Sequence, residues 1–143
     1  MKTLYISAPL RAPTIFQMEE NIRIARLEAE QMWRLGFAVL CPHLNTYGMV
    51  GMLDDEPILD EDHFIQADLL FIKNMDFLLF LWNWEESEGA QKEHAAAEAW
   101  HITKIYNRKS GGWFSHDLEC LDIVKEDMRQ LAIGQTIRKK TFY

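Results

Sequence analysis

The chain has 143 residues, 48% of them hydrophobic, so it can bury one core of ordinary size and is too short for two domains of typical length. A formal net charge of −7 excludes a general affinity for nucleic acid polymers, although local Arg residues or helix N-termini can still hold a small anion. Cys41 and Cys120 are too few for a disulfide framework and sit among apolar residues, where reduced, buried thiols are expected. No apolar run reaches membrane-spanning length, and Met1 to Ala8 lacks the apolar core of a signal peptide. The expectation is a cytoplasmic protein without a membrane partner.

Thr3 to Ala8 predicts a first strand that stops at Pro9. A loop with Arg11, Pro13 and Thr14 leads into a helix from about Phe16 to Leu35. Met18, Ile22, Ala25, Ala29 and Met32 form its apolar stripe, and Gly36 is its stop. Phe37 to Cys41 predicts a short buried strand closed by Pro42. His43 to Leu59 carries Gly48, Gly51 and Pro57 and reads as a long loop, often a functional element. Asp60 caps a helix to about Asn74, and Phe77 to Trp82 is an apolar run typical of a strand buried on both faces. After the next helix, His101 to Tyr106 predicts a fourth strand and Asn107 to Trp113 a loop. Leu118, Leu121, Val124, Met128 and Leu131 then suggest an amphipathic C-terminal helix over residues 115–132. Strands alternating with helices imply parallel βαβ units in a single α/β domain.

Trp84-Glu85-Glu86-Ser87-Glu88-Gly89-Ala90-Gln91-Lys92-Glu93 joins the third strand to an Ala-rich helix. Ser87 can cap that helix, and Gly89 lets a ligand approach the backbone. Glu93, placed in the first turn where free N–H groups favour negative charge, is expected to be ionised near neutral pH. Ligands of open α/β sheets bind beyond the carboxyl ends of the strands, the edge that receives Ser7, the Arg11 loop, His43, Asn45, Trp84 and Ser87. Asp68 shares a helix face with Phe64 and Phe71, and a carboxylate so placed needs a partner. Most tryptophans are expected in the core, while Trp84 could stack on a base.

Other chemistry finds little support. The acidic residues Asp54 to Asp62 near His63 lack an octahedral or EF-hand pattern, and the spacing of His94 and His101 is not that of a zinc helix, so no metal is expected. The absence of a P-loop, a G-x-G-x-x-G and a nucleophile elbow excludes the common ATPase, dinucleotide oxidoreductase and serine hydrolase patterns. No cofactor is called for.

The pattern W-x-x-S-x-G-A-x-x-E after an apolar strand resembles the signature of the nucleoside 2-deoxyribosyltransferase superfamily, and Asp68 and Asp76 repeat its spacing of two Asp residues before the third strand. The resemblance covers roughly residues 3–106. It implies a flavodoxin-like open parallel sheet of four to five strands with helices on both faces. It also implies that Glu93 is a nucleophile, that Asp68 binds the sugar and assists base departure, and that the Tyr5 hydroxyl orients Glu93. Ser7, Arg11, Asn45, Trp84, Ser87 and Gly89 would contact the substrate. Ser87 stands where nucleotide-type members have Ser and nucleoside-type members Asp, so a 5′-phosphate would meet no repulsion from that position. The implied reaction is cleavage or transfer of the N-glycosidic bond of a nucleoside or nucleoside monophosphate. The implied assembly is a homo-oligomer, dimer or tetramer, with shared sites. Two departures, Leu81-Trp82-Asn83-Trp84 in place of a Pro-Gly before the motif Trp and Ser7-Ala8-Pro9 in place of a Gly-rich turn, leave a non-catalytic nucleotide sensor and an NAD-cleaving enzyme as alternatives.

Overall fold

The computed structural model describes residues 1–46 and 61–137. It is an α/β fold of the flavodoxin-like type. The elements are β1 (Thr3–Ser7), α1 (Ile15–Arg34), β2 (Ala38–Leu40), α2 (Pro42–Asn45), α3 (Glu61–Ile72), β3 (Phe77–Phe80), α4 (Glu88–Ala99), β4 (Thr103–Asn107), β5 (Trp113–Ser115), β6 (Cys120–Ile123) and α5 (Lys125–Ala132). One sheet runs in the order β2-β1-β3-β4-β5-β6. The first four strands are parallel, and β5 and β6 add as an antiparallel extension. The sheet therefore has six strands where four to five parallel ones are expected.

The central strands β1 and β3 are buried on both sides, as their apolar runs require, while β2 at the edge is half-buried. Leu4, Ile6, Leu79 and Ile105 turn to one face and pack with Ala25, Ala29 and Met32 of α1 and Met128 and Leu131 of α5. Tyr5, Leu78 and Phe80 turn to the other and pack with Ile72 of α3 and Ala97 of α4. Helices thus cover both faces. Cys41 and Cys120 are buried free thiols. The tryptophans divide: Trp113 is buried, whereas Trp82 and Trp100 are well exposed.

Local signals set several boundaries. The Thr14 hydroxyl accepts the Gln17 N–H at 3.1 Å and starts α1. At its far end Gly36 takes φ +107°, and the N–H groups of Gly36 and Phe37 reach the carbonyls of Trp33 and Met32 at 3.1 and 3.2 Å. That left-handed closure is the stop expected at Gly36. Within 43–59, residues 43–45 belong to α2, and 47–60, including Gly48, Gly51 and the Asp54-Asp55-Glu56 run, lie outside the described residues.

The C-terminal helix expected over 115–132 is corrected to a hairpin followed by a short helix. Gly111 and Gly112, at φ +104° and +77°, turn the chain back beside β4. Long-range contacts then hold it extended: the Ser115 hydroxyl donates to the Lys104 carbonyl at 2.5 Å, and Asp117 accepts the Lys104 N–H at 2.8 Å and pairs with its ammonium at 3.1 Å. Leu121 and Val124, read as core stripe, are 50% and 44% exposed, while Cys120 and Ile123 are buried. Tertiary hydrogen bonds override a helical period whenever they satisfy more of the backbone than the local pattern can.

A reciprocal clasp aligns the starts of β1 and β3. The N–H and hydroxyl of Thr3 donate to Asp76 at 2.8 and 3.1 Å, and the Asp76 N–H donates to the Thr3 hydroxyl at 2.9 Å. Asp76→Ala should lower the unfolding free energy by about 1–2 kcal/mol in a urea titration. An unchanged midpoint would mean that solvent replaces the clasp without loss.

Candidate active site

Side chains alternate along a strand, so Tyr5 and Ser7 both face the layer of α3 and α4. The sheet order reverses at the pair β1 and β3, and the loop after β3 leads into α4. This is the point at which open α/β sheets leave a crevice at their carboxyl edge. A single 3-10 turn, Trp84–Glu86, spans the crossing, and Ser87 caps α4 by accepting the Ala90 N–H at 3.2 Å.

Glu93 lies over the end of β1. It is only 8% exposed, and the Ser7 hydroxyl donates to its Oε1 at 3.1 Å. Its Oε2 has no hydrogen-bond partner, and neither has the buried hydroxyl of Tyr5. Tyr5 nevertheless lies close enough to Glu93 and Asp68 for its hydroxyl to favour the charged form of each, although no well-aligned bond to Oε2 is formed. Two adjacent buried polar atoms without partners are costly in a core and suit a place where a ligand supplies what is missing. The fold therefore brings together Tyr5, Ser7, Asp68 and Glu93, and the Ser7 hydroxyl joins Tyr5 beside the Glu93 carboxyl.

The charge expected on Glu93 is also corrected. With Glu88 as the first residue of α4, Glu93 falls in the second turn, beyond the unpaired N–H groups of the N-terminus. Burial, the largest influence, pushes its pKa up to about 8, against the smaller pull of Tyr5 and Ser7. Burial likewise raises Asp68 to about 6, with the Tyr5 hydroxyl pulling the other way. Near neutral pH Asp68 is then the ionised member of the pair and Glu93 the protonated one. Withdrawing a carboxylate from water costs more than one hydroxyl donor returns.

The remaining expected contacts are placed less closely. The exposed Arg11 follows β1, and Asn45 ends α2 with its side chain exposed. His43 is buried, and its Nε2 donates to the Pro9 carbonyl at 2.8 Å, so it fastens the turn after β1. Burial lowers its pKa and keeps it neutral. A Cβ at Gly89 would meet only the Ser87 hydroxyl oxygen, at 3.8 Å, so the fold itself does not demand glycine there. His101 lies past α4 with φ +55°, away from any helical pairing with His94. No group of three metal-ligating side chains occurs among the described residues.

Beside the acids lies an aromatic group that spacing does not announce. Ser7, Phe80, Tyr106 and Phe114 are successive partners across β1, β3, β4 and β5, forming one row on the α3/α4 face. The Trp84 ring stacks on His94 with centroids 4.2 Å apart and planes 9° from parallel, and His94 Nε2 lies 2.7 Å from the Tyr106 hydroxyl. Only strand register makes these neighbours, which is why the sequence leaves Tyr106 unmarked. On the opposite side of the sheet a cleft of about 340 Å³ is lined by Glu28, Gln31, Arg108 and Trp113 among others. Its half-buried carboxylate, Glu28, is committed to Trp113 and Asn107 at 2.8 and 3.3 Å.

Residues 2–106 match a family described as a domain of unknown function, DUF4406, and the chain belongs to that family. The matched span holds every residue of the acid cluster and ends at Tyr106, before the β5–β6 hairpin. No curated protein matches the chain.

The buried acid carries a stability signature. Unfolded, Glu93 loses its proton near 4.5; folded, it keeps the proton to about 8. Between those values the unfolded chain binds fewer protons, so stability falls as pH rises, and Asp68 adds to the same slope at lower pH. Glu93→Gln should raise the Tm, with a gain that grows between about pH 5 and about pH 9 and reaches the order of a few kcal/mol. Parallel Tm profiles for wild type and variant would contradict the raised pKa.

Proposed function

We propose that this member of the DUF4406 family cleaves or transfers the N-glycosidic bond of a nucleoside or nucleoside 5′-monophosphate through a covalent glycosyl-Glu93 intermediate. The observation that carries this reading is the arrangement of the Glu93 carboxyl: Oε1 is held by Ser7, while Oε2 is uncommitted beside Tyr5 and a second carboxyl, Asp68. The resemblance of the W-x-x-S-x-G-A-x-x-E motif to nucleoside 2-deoxyribosyltransferases supports the same assignment.

In this reading Glu93 Oε2 attacks the anomeric carbon as the bond to the base nitrogen breaks, and the bonding pair leaves with the base. Asp68 holds a sugar hydroxyl and assists the departing base, and water or a second base then displaces Glu93 from the sugar. Ser7 fixes the carboxyl in one rotamer, which lowers the ordering cost of attack. Free Glu93 gives up its proton to solvent before Oε2 attacks, and the positive charge that develops on the sugar then offsets the cost of the buried carboxylate. Trp84 and Gly89 would border the base and sugar, and Arg11 would meet a 5′-phosphate approaching Ser87. Asn45 would lie at the rim. The proposal includes a cytoplasmic setting and assembly into a dimer or tetramer that shares sites, which sedimentation velocity would measure. No helix among the described residues is long and apolar enough to cross a membrane.

Purified protein incubated with nucleosides, nucleoside monophosphates and NAD should release free base from one of the first two classes. Glu93→Gln and Glu93→Ala should lose more than about 1,000-fold of that activity while remaining folded. A 2-fluoro sugar substrate should leave its glycosyl mass on Glu93. Turnover by Glu93→Ala at the wild-type rate rules out the intermediate.

The pH profile gives a second check. Attack needs ionised Glu93, so kcat/KM should climb between about pH 6 and about pH 8, the range set by the raised values of Asp68 and Glu93. A profile that falls over this range would assign Glu93 the role of acid. Monophosphates should be preferred to nucleosides, and Arg11→Ala should erase the preference by weakening the monophosphate alone.

A further inference from the structure

The ring contacts of the Trp84–His94 stack lie on one face of Trp84 and along the edges of the stack. Phe80 lies 5.3 Å from Trp84 and 4.9 Å from His94, and Tyr106 lies 6.3 and 6.0 Å from the same two rings. Each is nearly equidistant from the two members, so both flank the edges of the stack. A ring on the far face of Trp84 would be much closer to Trp84 than to His94, and no ring contact among the described residues has that form.

His94 is itself fixed. It follows Glu93 on α4, and its Nε2 shares a hydrogen bond with the Tyr106 hydroxyl at 2.7 Å. Burial raises Tyr106 to about 12, while burial and Lys104 lower His94, so the bond joins a neutral phenol to a neutral imidazole. Lys104, buried beneath, is anchored by Glu98 and Asp117 at 3.3 and 3.1 Å. Trp84 is held from the other direction by its turn, where the Ser87 N–H donates to the Trp84 carbonyl at 3.0 Å and the Gln91 side chain donates to the Glu85 carbonyl at 2.5 Å. A half-buried indole would otherwise sample several rotamers. Here one face of the half-buried indole is pinned by the residue that follows Glu93 on α4.

We propose that His94, held by Tyr106, is a positioning residue that orients Trp84 as the stacking surface for the substrate's planar base. The proposal rests on the glycosidic reading above, and it gives binding of the base and the chemistry at Glu93 to successive residues of one helix. Aromatic stacking tolerates any base, so the surface would supply affinity for purines and pyrimidines alike.

Calorimetric titration with deoxyguanosine monophosphate, deoxycytidine monophosphate and the base-less 2-deoxyribose 5-phosphate tests this, beside turnover of the two nucleotides. In His94→Ala, Kd and KM for both nucleotides should rise about tenfold, within the range for a lost base–aromatic stack, while kcat moves less than about twofold. Affinity for the sugar phosphate should be unchanged. His94→Phe should recover most of the loss, since it keeps the ring and loses only the hydrogen bond, and Tyr106→Phe should show a smaller rise of the same kind. Equal weakening of nucleotides and sugar phosphate, or a loss confined to kcat, would overturn the proposal. If His94→Ala does not fold, the sign of the effect in Tyr106→Phe decides, and a nucleotide Kd equal to wild type refutes it. Nucleotide binding that depends on His94 without base release by wild type would uphold the stacking surface and reject the reaction.

Discussion

The Glu93 carboxyl is buried against the end of β1, and the rest of the site depends on how that burial is compensated. Ser7 returns one hydrogen bond to Oε1 at 3.1 Å; Oε2 and the neighbouring Tyr5 hydroxyl receive none. A core that served only stability would place a leucine or methionine here and lose nothing. Retaining an acid that raises the folding cost at high pH is the trade expected where a site must hold a reactive group ready for a ligand.

The fold makes that trade tolerable by concentrating apolar packing elsewhere. Leu4, Ile6 and Leu79 are sealed between the sheet and α1, and Leu78 and Phe80 lie under α3 and α4. After Thr3 at its start, polar residues enter β1 at Tyr5 and Ser7, on the α4 side and beside the point where the sheet order reverses. Asp68 and Glu93 then arrive from the two helices that bracket β3. Because both are partly or wholly removed from water and each sees the other, the pair holds a proton near neutral pH, and its two members are set apart by their depth of burial.

The β5–β6 hairpin, beyond the family match, has a separate part. It extends the sheet past β4, and its Asp117 secures Lys104 under the His94–Tyr106 pair. The aromatic row that starts beside Ser7 continues through Phe80 and Tyr106 to Phe114, where the Arg108 guanidinium caps the ring at 4.6 Å. The geometry around Trp84 therefore depends on residues far from the motif in sequence.

Sequence by itself determined the parallel βαβ core, because runs such as Phe77 to Phe80 and stripes such as Ala25, Ala29 and Met32 can bury their apolar surface in few other ways. Ser87 as a cap, Gly36 as a stop and the grouping of Tyr5, Asp68 and Glu93 were equally legible, the last through a motif whose spacing reflects one strand, one turn and one helix. Tertiary structure decided what local patterns do not encode. Whether Glu93 carries charge depends on depth below the surface and on falling in the second turn of α4, not the first. Whether residues 115–123 form a helix or a hairpin depends on the partners that Lys104 offers across the sheet. The meeting of Trp84, His94 and Tyr106 depends on register between strands, a long-range quantity that no window of sequence contains.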